Sequence, residues 1–184
     1  MKPQSNNNKD ILPILKYGNP LLRKKVRDVT NFNILPKFIK KMFLTIQAGG
    51  GIGLAANQVG KSINLLIVDT NTIKDEGGKT YIFINSKIIK SEGSSIMEEG
   101  CLSVPDIRAE IERPEIITLH YQDLEKRTHE KVFSGIISRV IQHEFEHLDG
   151  KFFVDYLSPS KRILIHKRLL EIAKHGEPST GIIL

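Results

Sequence analysis

The chain has 184 residues, 40% of them hydrophobic, enough for one substantial core. Its net charge of +6 suits work near RNA, but with 7% aromatic residues and no stacking motif it does not read as a stand-alone RNA-binding module, and nothing in it reads DNA specifically. No run of 18 apolar residues is present to span a membrane, and a single cysteine excludes an internal disulfide.

Met1 to Lys9 is polar, with Asn6-Asn7-Asn8 where a secretory leader needs an apolar stretch, so this segment is expected to be disordered and the protein cytoplasmic. Ile34, Leu35, Phe38, Ile39, Met42, Phe43 and Ile46 recur at helical spacing and predict a helix over about Ile34 to Gln47, leading into Gly49-Gly50-Gly51-Ile52-Gly53. Strands are predicted at Ile63 to Asp69 and Tyr81 to Ile84, with Lys74-Asp75-Glu76-Gly77-Gly78 as a hairpin loop between them. A second pair, Ile116 to Tyr121 and about Thr128 to Phe133, is predicted across Gln122 to Lys126. Ile136, Ile137, Val140 and Ile141 mark the buried face of a helix that Gly150 stops. A last helix runs from about Pro159 to Lys174, with Leu164, Ile165, Leu169 and Ile172 as its apolar stripe and Lys161, Arg162, Lys167, Arg168 and Lys174 as a basic face. Strands grouped before a helix, instead of alternating with helices, indicate an α+β fold: antiparallel sheets around a central helix, with further helices near either end.

That central helix carries His143-Glu144-Phe145-Glu146-His147. Histidines four apart project from one helix face as a pair of metal ligands, and the glutamate after the first can reach a metal-activated water without ligating the ion. Two histidines leave the site one ligand short. A third histidine at position 153, as in one class of zinc endopeptidase, is excluded by Phe153. Glu171, in the last helix, would complete a zinc endopeptidase of the thermolysin kind. Cys101, in Glu99-Gly100-Cys101-Leu102-Ser103, would supply a thiolate, a strong ligand for a borderline divalent ion, and its turn-like setting beside glycine argues for access over burial. Gly60-Lys61-Ser62 invites a phosphate-loop reading, but Ala55 stands where that loop needs glycine, and a strand follows instead of a helix.

Three motifs, in order, resemble those of bacterial peptide deformylases: Gly51-Ile52-Gly53-Leu54-Ala55-Ala56-Asn57-Gln58, then Glu99-Gly100-Cys101-Leu102-Ser103, then Gln142-His143-Glu144-Phe145-Glu146-His147. The likeness runs from about Ile11 to Ser158, and the whole chain, 1–184, is expected to be a single deformylase-like catalytic domain. Asn57 departs from the family's usual proline or threonine, and Glu146 from its usual aspartate.

The resemblance implies Cys101, His143 and His147 as metal ligands, with iron(II) the expected ion in the cell and zinc, nickel or cobalt(II) able to replace it. It implies removal of the formyl group from formyl-methionine of nascent peptides, with formate released. Water activated by the ion would attack the formyl carbonyl, Glu144 would serve as general base and acid, and Gln58 and the Leu102 N–H would stabilise the oxyanion. Gly51, Ile52, Gly53, Met97, Glu99, Gly100, Arg108, Ile136 and Val140 are the implied substrate contacts, with Ile52, Met97, Ile136 and Val140 lining a methionine-sized pocket. By the same likeness the basic C-terminal helix is a candidate ribosome contact.

Overall fold

The computed structural model describes residues 10–73 and 77–175. The segment Met1 to Lys9, expected to be disordered, lies outside the described residues, as do Lys74, Asp75 and Glu76 of the expected hairpin loop. Three α-helices are described: α1 (Leu35–Gly49), α2 (Gly135–Leu148) and α3 (Pro159–His175). Seven strands accompany them: β1 (Gly53–Ala55), β2 (Leu65–Asp69), β3 (Thr80–Glu92), β4 (Ser95–Cys101), β5 (Val104–Arg113), β6 (Ile116–Gln122) and β7 (Thr128–Ser134). β1, β2, β3, β6 and β7 form one antiparallel sheet in that order, and β4 and β5 pair as a separate antiparallel hairpin. No described helix is long and apolar enough to cross a membrane.

The alternation of β2 explains how the large sheet is sandwiched. Leu65 and Ile67 pack with Leu35, Ile39, Met42 and Ile46 of α1, while Leu66 and Val68 pack with Val140, Ile141 and Leu148 of α2. All five β2 residues are buried, as expected of a strand covered on both faces. Each fully buried leucine or isoleucine here contributes about 1.5–3 kcal/mol relative to exposure. The opposite side of α2 faces the β4–β5 hairpin, where the Arg139 guanidinium donates to the Ile111 and Ser95 carbonyls and Gln142 donates to the Pro114 carbonyl. The central helix thus lies between the two antiparallel sheets, in the expected α+β arrangement.

β7 runs into α2 without a loop, because Gly135 takes φ +59°, a left-handed conformation that side chains rarely adopt. Gly150, at φ +77°, turns the chain away just after the helix ends.

Two expectations change. β3 continues eight residues past the predicted Ile84, to Glu92, because a bulge absorbs the polar Asn85-Ser86. Asn85 sits at φ +50° and its amide donates to the Val29 carbonyl and to Gln122 Oε1, so the interruption is tied down instead of ending the strand. On α3, Leu169 and Ile172 are buried and Ile165 is half-buried, but Leu164 is 83% exposed. The helix is docked on a narrower stripe, one that Leu164 misses.

Candidate metal and active site

Cys101 ends β4, where the hairpin turns through Leu102 and Ser103. His143 and His147 lie one turn apart on α2, with ring centroids 5.0 Å apart and planes nearly perpendicular. The ligating atoms of these three residues all fall within 4.8 Å of one another. Contrary to the access expected from its turn, Cys101 is only 3% exposed. His147 Nε2 lies 3.1 Å from its Sγ, and Gln58 and the Ser103 N–H close over it as well. One sulfur and two imidazole nitrogens converging on a point fit a tetrahedral divalent ion with a position to spare.

The surrounding groups fit such an ion too. Glu99 Oε2 is 2.8 Å from His143 Nδ1, which leaves Nε2 as the nitrogen for the cluster. The same carboxylate accepts from Arg113 Nε and Nη2 and from Arg139 Nη1, at 2.5, 2.9 and 3.0 Å. Burial pushes the Glu99 pKa up, but Arg113 and His143 outweigh it and hold the group at about 2. Burial and then the neighbouring His143 hold His147 well below the ordinary imidazole value, so it is neutral, as a ligand must be. Burial also presses His143 down, but Cys101 and Glu99 raise it well above that value, so an ion binding at Nε2 must displace a proton.

Glu144 is buried beside the cluster, and its Oε2 has no hydrogen-bond partner among the described residues. Burial, partly offset by His143, raises its pKa to about 7, the range suited to exchanging a proton at neutral pH. Gln58 Oε1 accepts the Ala55 N–H at 2.8 Å. Its amide nitrogen is thereby turned toward the cluster, 3.6 Å from Cys101 Sγ and 3.2 Å from Ser103 Oγ. Gly53 has no room for a side chain: a Cβ there would fall 2.6 Å from Glu144 Oε1 and 2.7 Å from Val140 Cγ1. A Cβ on Gly51 would fall 2.9 Å from Leu102 Cδ1.

Ile52, Ile136 and Val140 belong to one apolar cluster. Met97, half-buried on β4 opposite Ile111, is outside that cluster among the described residues. Arg108 pairs in register with Gly100 and forms an exposed ion pair with Glu98 at 3.1 Å. The Glu99 side chain turns toward Arg113, Arg139 and His143. Glu171, the alternative third ligand, sits on α3 and pairs with Arg168 at 3.3 Å, while Cys101 completes the donor cluster.

Several contributors escaped the sequence reading. Arg113 also donates to Glu146 Oε1 at 2.5 Å, and the Tyr156 hydroxyl donates to the same oxygen at 2.8 Å, so the longer carboxylate at position 146 is held from two sides. Asn57 Nδ2 donates to the His147 carbonyl. Lys16, 3% exposed, donates from Nζ to the Leu102 carbonyl at 2.7 Å. Arg139 was the one with a visible signal, being a charge four residues before His143 on a helix whose neighbours are apolar. Arg113 and Lys16 arrive from distant sequence, with nothing local to announce them, and Tyr156, ten residues after Glu146, reads as an ordinary tyrosine.

The family model for polypeptide deformylase matches residues 11–163. Peptide deformylase of Chlorobaculum tepidum is 43% identical over 166 residues, covering 89% of both chains. Peptide deformylase 2 of Xanthomonas campestris is 40% identical over 90% of this chain and 98% of its own. The crystal structure of peptide deformylase from Thermus thermophilus superposes with a TM-score of 0.83 at 33% identity, covering 91% of this chain and all of that one. That from Plasmodium falciparum gives 0.82 at 36% identity, over 88% of this chain and 95% of its own. A model match over most of the chain, relatives of full length and a common α+β fold agree: the chain belongs to the polypeptide deformylase family of metal-dependent hydrolases.

Proposed function

We propose that Cys101, His143 and His147 hold one divalent ion and that Glu144, Gln58 and the Leu102 N–H perform deformylation of formyl-methionyl nascent peptides around it. The observation that carries this reading is the convergence of a Cys-His-His donor set, a buried carboxylate with one unpartnered oxygen and a glutamine amide nitrogen. A bound ion supplies Lewis acidity and lowers the pKa of water toward neutrality. Glu144 takes the proton of the attacking water and returns a proton to the departing methionine amine, a double duty that its raised pKa suits. Gln58 Nε2 and the Leu102 N–H donate to the carbonyl oxygen as it gains charge. Arg113 and Arg139 move no proton; they fix Glu99, which fixes His143.

Gly51 and Gly53 let the peptide backbone approach closely, and β1, an edge strand paired among the described residues with β2 alone, offers it a pairing edge. Ile52, Met97, Ile136 and Val140 receive the methionine side chain. Glu99 and Gly100 meet the peptide through their backbone, and Arg108 at the cleft rim. The ion is iron(II) in the cell, by family likeness, with zinc, nickel or cobalt(II) as substitutes. Residues 1–184 make one catalytic domain working in the cytoplasm.

The test is release of formate from a formyl-Met peptide by anaerobically prepared, iron(II)-loaded protein. Formate without internal peptide cleavage is expected, whereas no formate from loaded protein overturns the reading. The basic face of α3 is the proposed ribosome contact, although Arg162 and Arg168 already pair with Asp155 and Asp106. Charge reversal at Lys161, Lys167 and Lys174 is expected to abolish co-sedimentation with ribosomes at moderate salt, and unchanged co-sedimentation would reject it.

A further inference from the structure

The extended segment before the first helices carries three successive residues that reach into the site from behind. The Leu15 N–H donates to the Gln58 carbonyl at 2.7 Å, Lys16 Nζ to the Leu102 carbonyl at 2.7 Å, and the Tyr17 N–H to the Ser103 carbonyl at 2.8 Å. Gln58 and Leu102 are the two residues assigned to the oxyanion. They belong to a glycine-rich segment and a hairpin turn 44 positions apart, and this one segment bonds to both. Leucine and tyrosine use only their main chain, so the side chain committed to the task is Lys16.

The Lys16 bond has a second consequence. The Leu102 carbonyl and the Ser103 N–H are opposite ends of one peptide unit, and that N–H points at Cys101 Sγ from 3.4 Å. An ammonium on the carbonyl polarises the unit and strengthens its N–H as a donor to sulfur. Fixing the plane of this peptide also restricts Leu102, whose own N–H is the second oxyanion donor. A buried lysine is costly to keep unless it is bonded, and the Leu102 carbonyl is one of the groups that meet its charge.

We propose that Lys16 is a positioning residue for the reaction: through the Leu102–Ser103 peptide it sets the electron density at the Cys101 sulfur and the aim of the Leu102 N–H. This rests on the deformylase reading above and extends it to a residue outside the three motifs.

The test uses cobalt(II)-loaded protein with two readouts: kcat and KM for a formyl-Met peptide, and the sulfur-to-cobalt charge-transfer band. Lys16→Met is expected to lower kcat about tenfold with KM within about twofold, less than the 10²–10³ lost when an oxyanion donor is removed outright. It is also expected to move the band to lower energy, because a sulfur with a weaker donor gives up charge more easily. Lys16→Arg should recover part of both. Ile117→Ala, a core truncation in β6 away from residues 15–17, controls for destabilisation and should leave kcat per folded molecule and the band unchanged. If Lys16→Met does not fold, Lys16→Gln is read the same way. An unshifted band, or a loss of activity no larger than the loss of folded protein, overturns the proposal. The spectrum needs no turnover, so absence of formate from wild type would count against the functional reading alone.

Discussion

His143 Nδ1 and Glu99 Oε2 lie 2.8 Å apart, both buried, with Glu99 also held by two arginines. A histidine hydrogen-bonded in this way has one tautomer available and presents Nε2 to an ion at a fixed angle. Glu99→Gln keeps the shape but removes the charge, and should weaken metal affinity about 10–100-fold, read by competition with a chromophoric chelator. Unchanged affinity would mean that the carboxylate serves the fold alone.

The same carboxylate predicts an acid limb in stability. Its folded pKa of about 2 lies below the ordinary value of 4.5, so the stability it contributes is complete above about pH 5 and is lost as pH falls toward 2. The shift corresponds to about 3 kcal/mol at neutral pH. Urea unfolding of chelator-treated protein from pH 7 to pH 3 should show wild type declining toward Glu99→Gln, which starts lower and slopes less.

Gly53→Ala places a methyl group within 2.6–2.7 Å of Glu144 and Val140, and both belong to a packed helix that has little room to give. Displacing the proton-transferring carboxylate by about 1 Å should cost on the order of 100-fold in kcat. Metal content, read by elemental analysis, should remain stoichiometric, because the atoms nearest the new methyl group belong to Glu144 and Val140, neither of them a ligand.

The docking of α3 separates two leucines that look alike in sequence. Leu169→Ala, at a 5% exposed position, should cost about 2–5 kcal/mol in urea unfolding. Leu164→Ser, at 83% exposure, should change stability by no more than about 0.5 kcal/mol.

These cases show where the sequence was legible. The periodicities of α1 and α2 and the alternation of β6 placed those elements within two residues, because each has one strongly apolar face, and β7 was placed as the hairpin partner of β6 although Phe133 is its one buried residue. β4 and β5 went unrecognised: Glu98, Glu99, Glu110 and Glu112 break the apolar pattern, and Glu99 is buried because Arg113, Arg139 and His143 meet it from elsewhere in the chain. Cys101, His143, Glu144 and His147 were legible as chemistry because their spacing is local or their type is rare. Lys16 and Arg113 were not, since a buried charge in one segment can be recognised only once its partner in another is known. Leu164 was misplaced because helical spacing alone leaves the edge of a buried stripe undefined by about one residue.

The most direct measurement compares formate release and bound metal in wild type, Glu144→Gln and Cys101→Ala. Wild type should release formate from a formyl-Met peptide. Glu144→Gln should retain the ion but lose activity by at least about 100-fold, within the 10²–10⁴ range of a general acid–base group. Cys101→Ala should lose both ion and activity. Full activity in Glu144→Gln, or stoichiometric metal in Cys101→Ala, would contradict the account of this site.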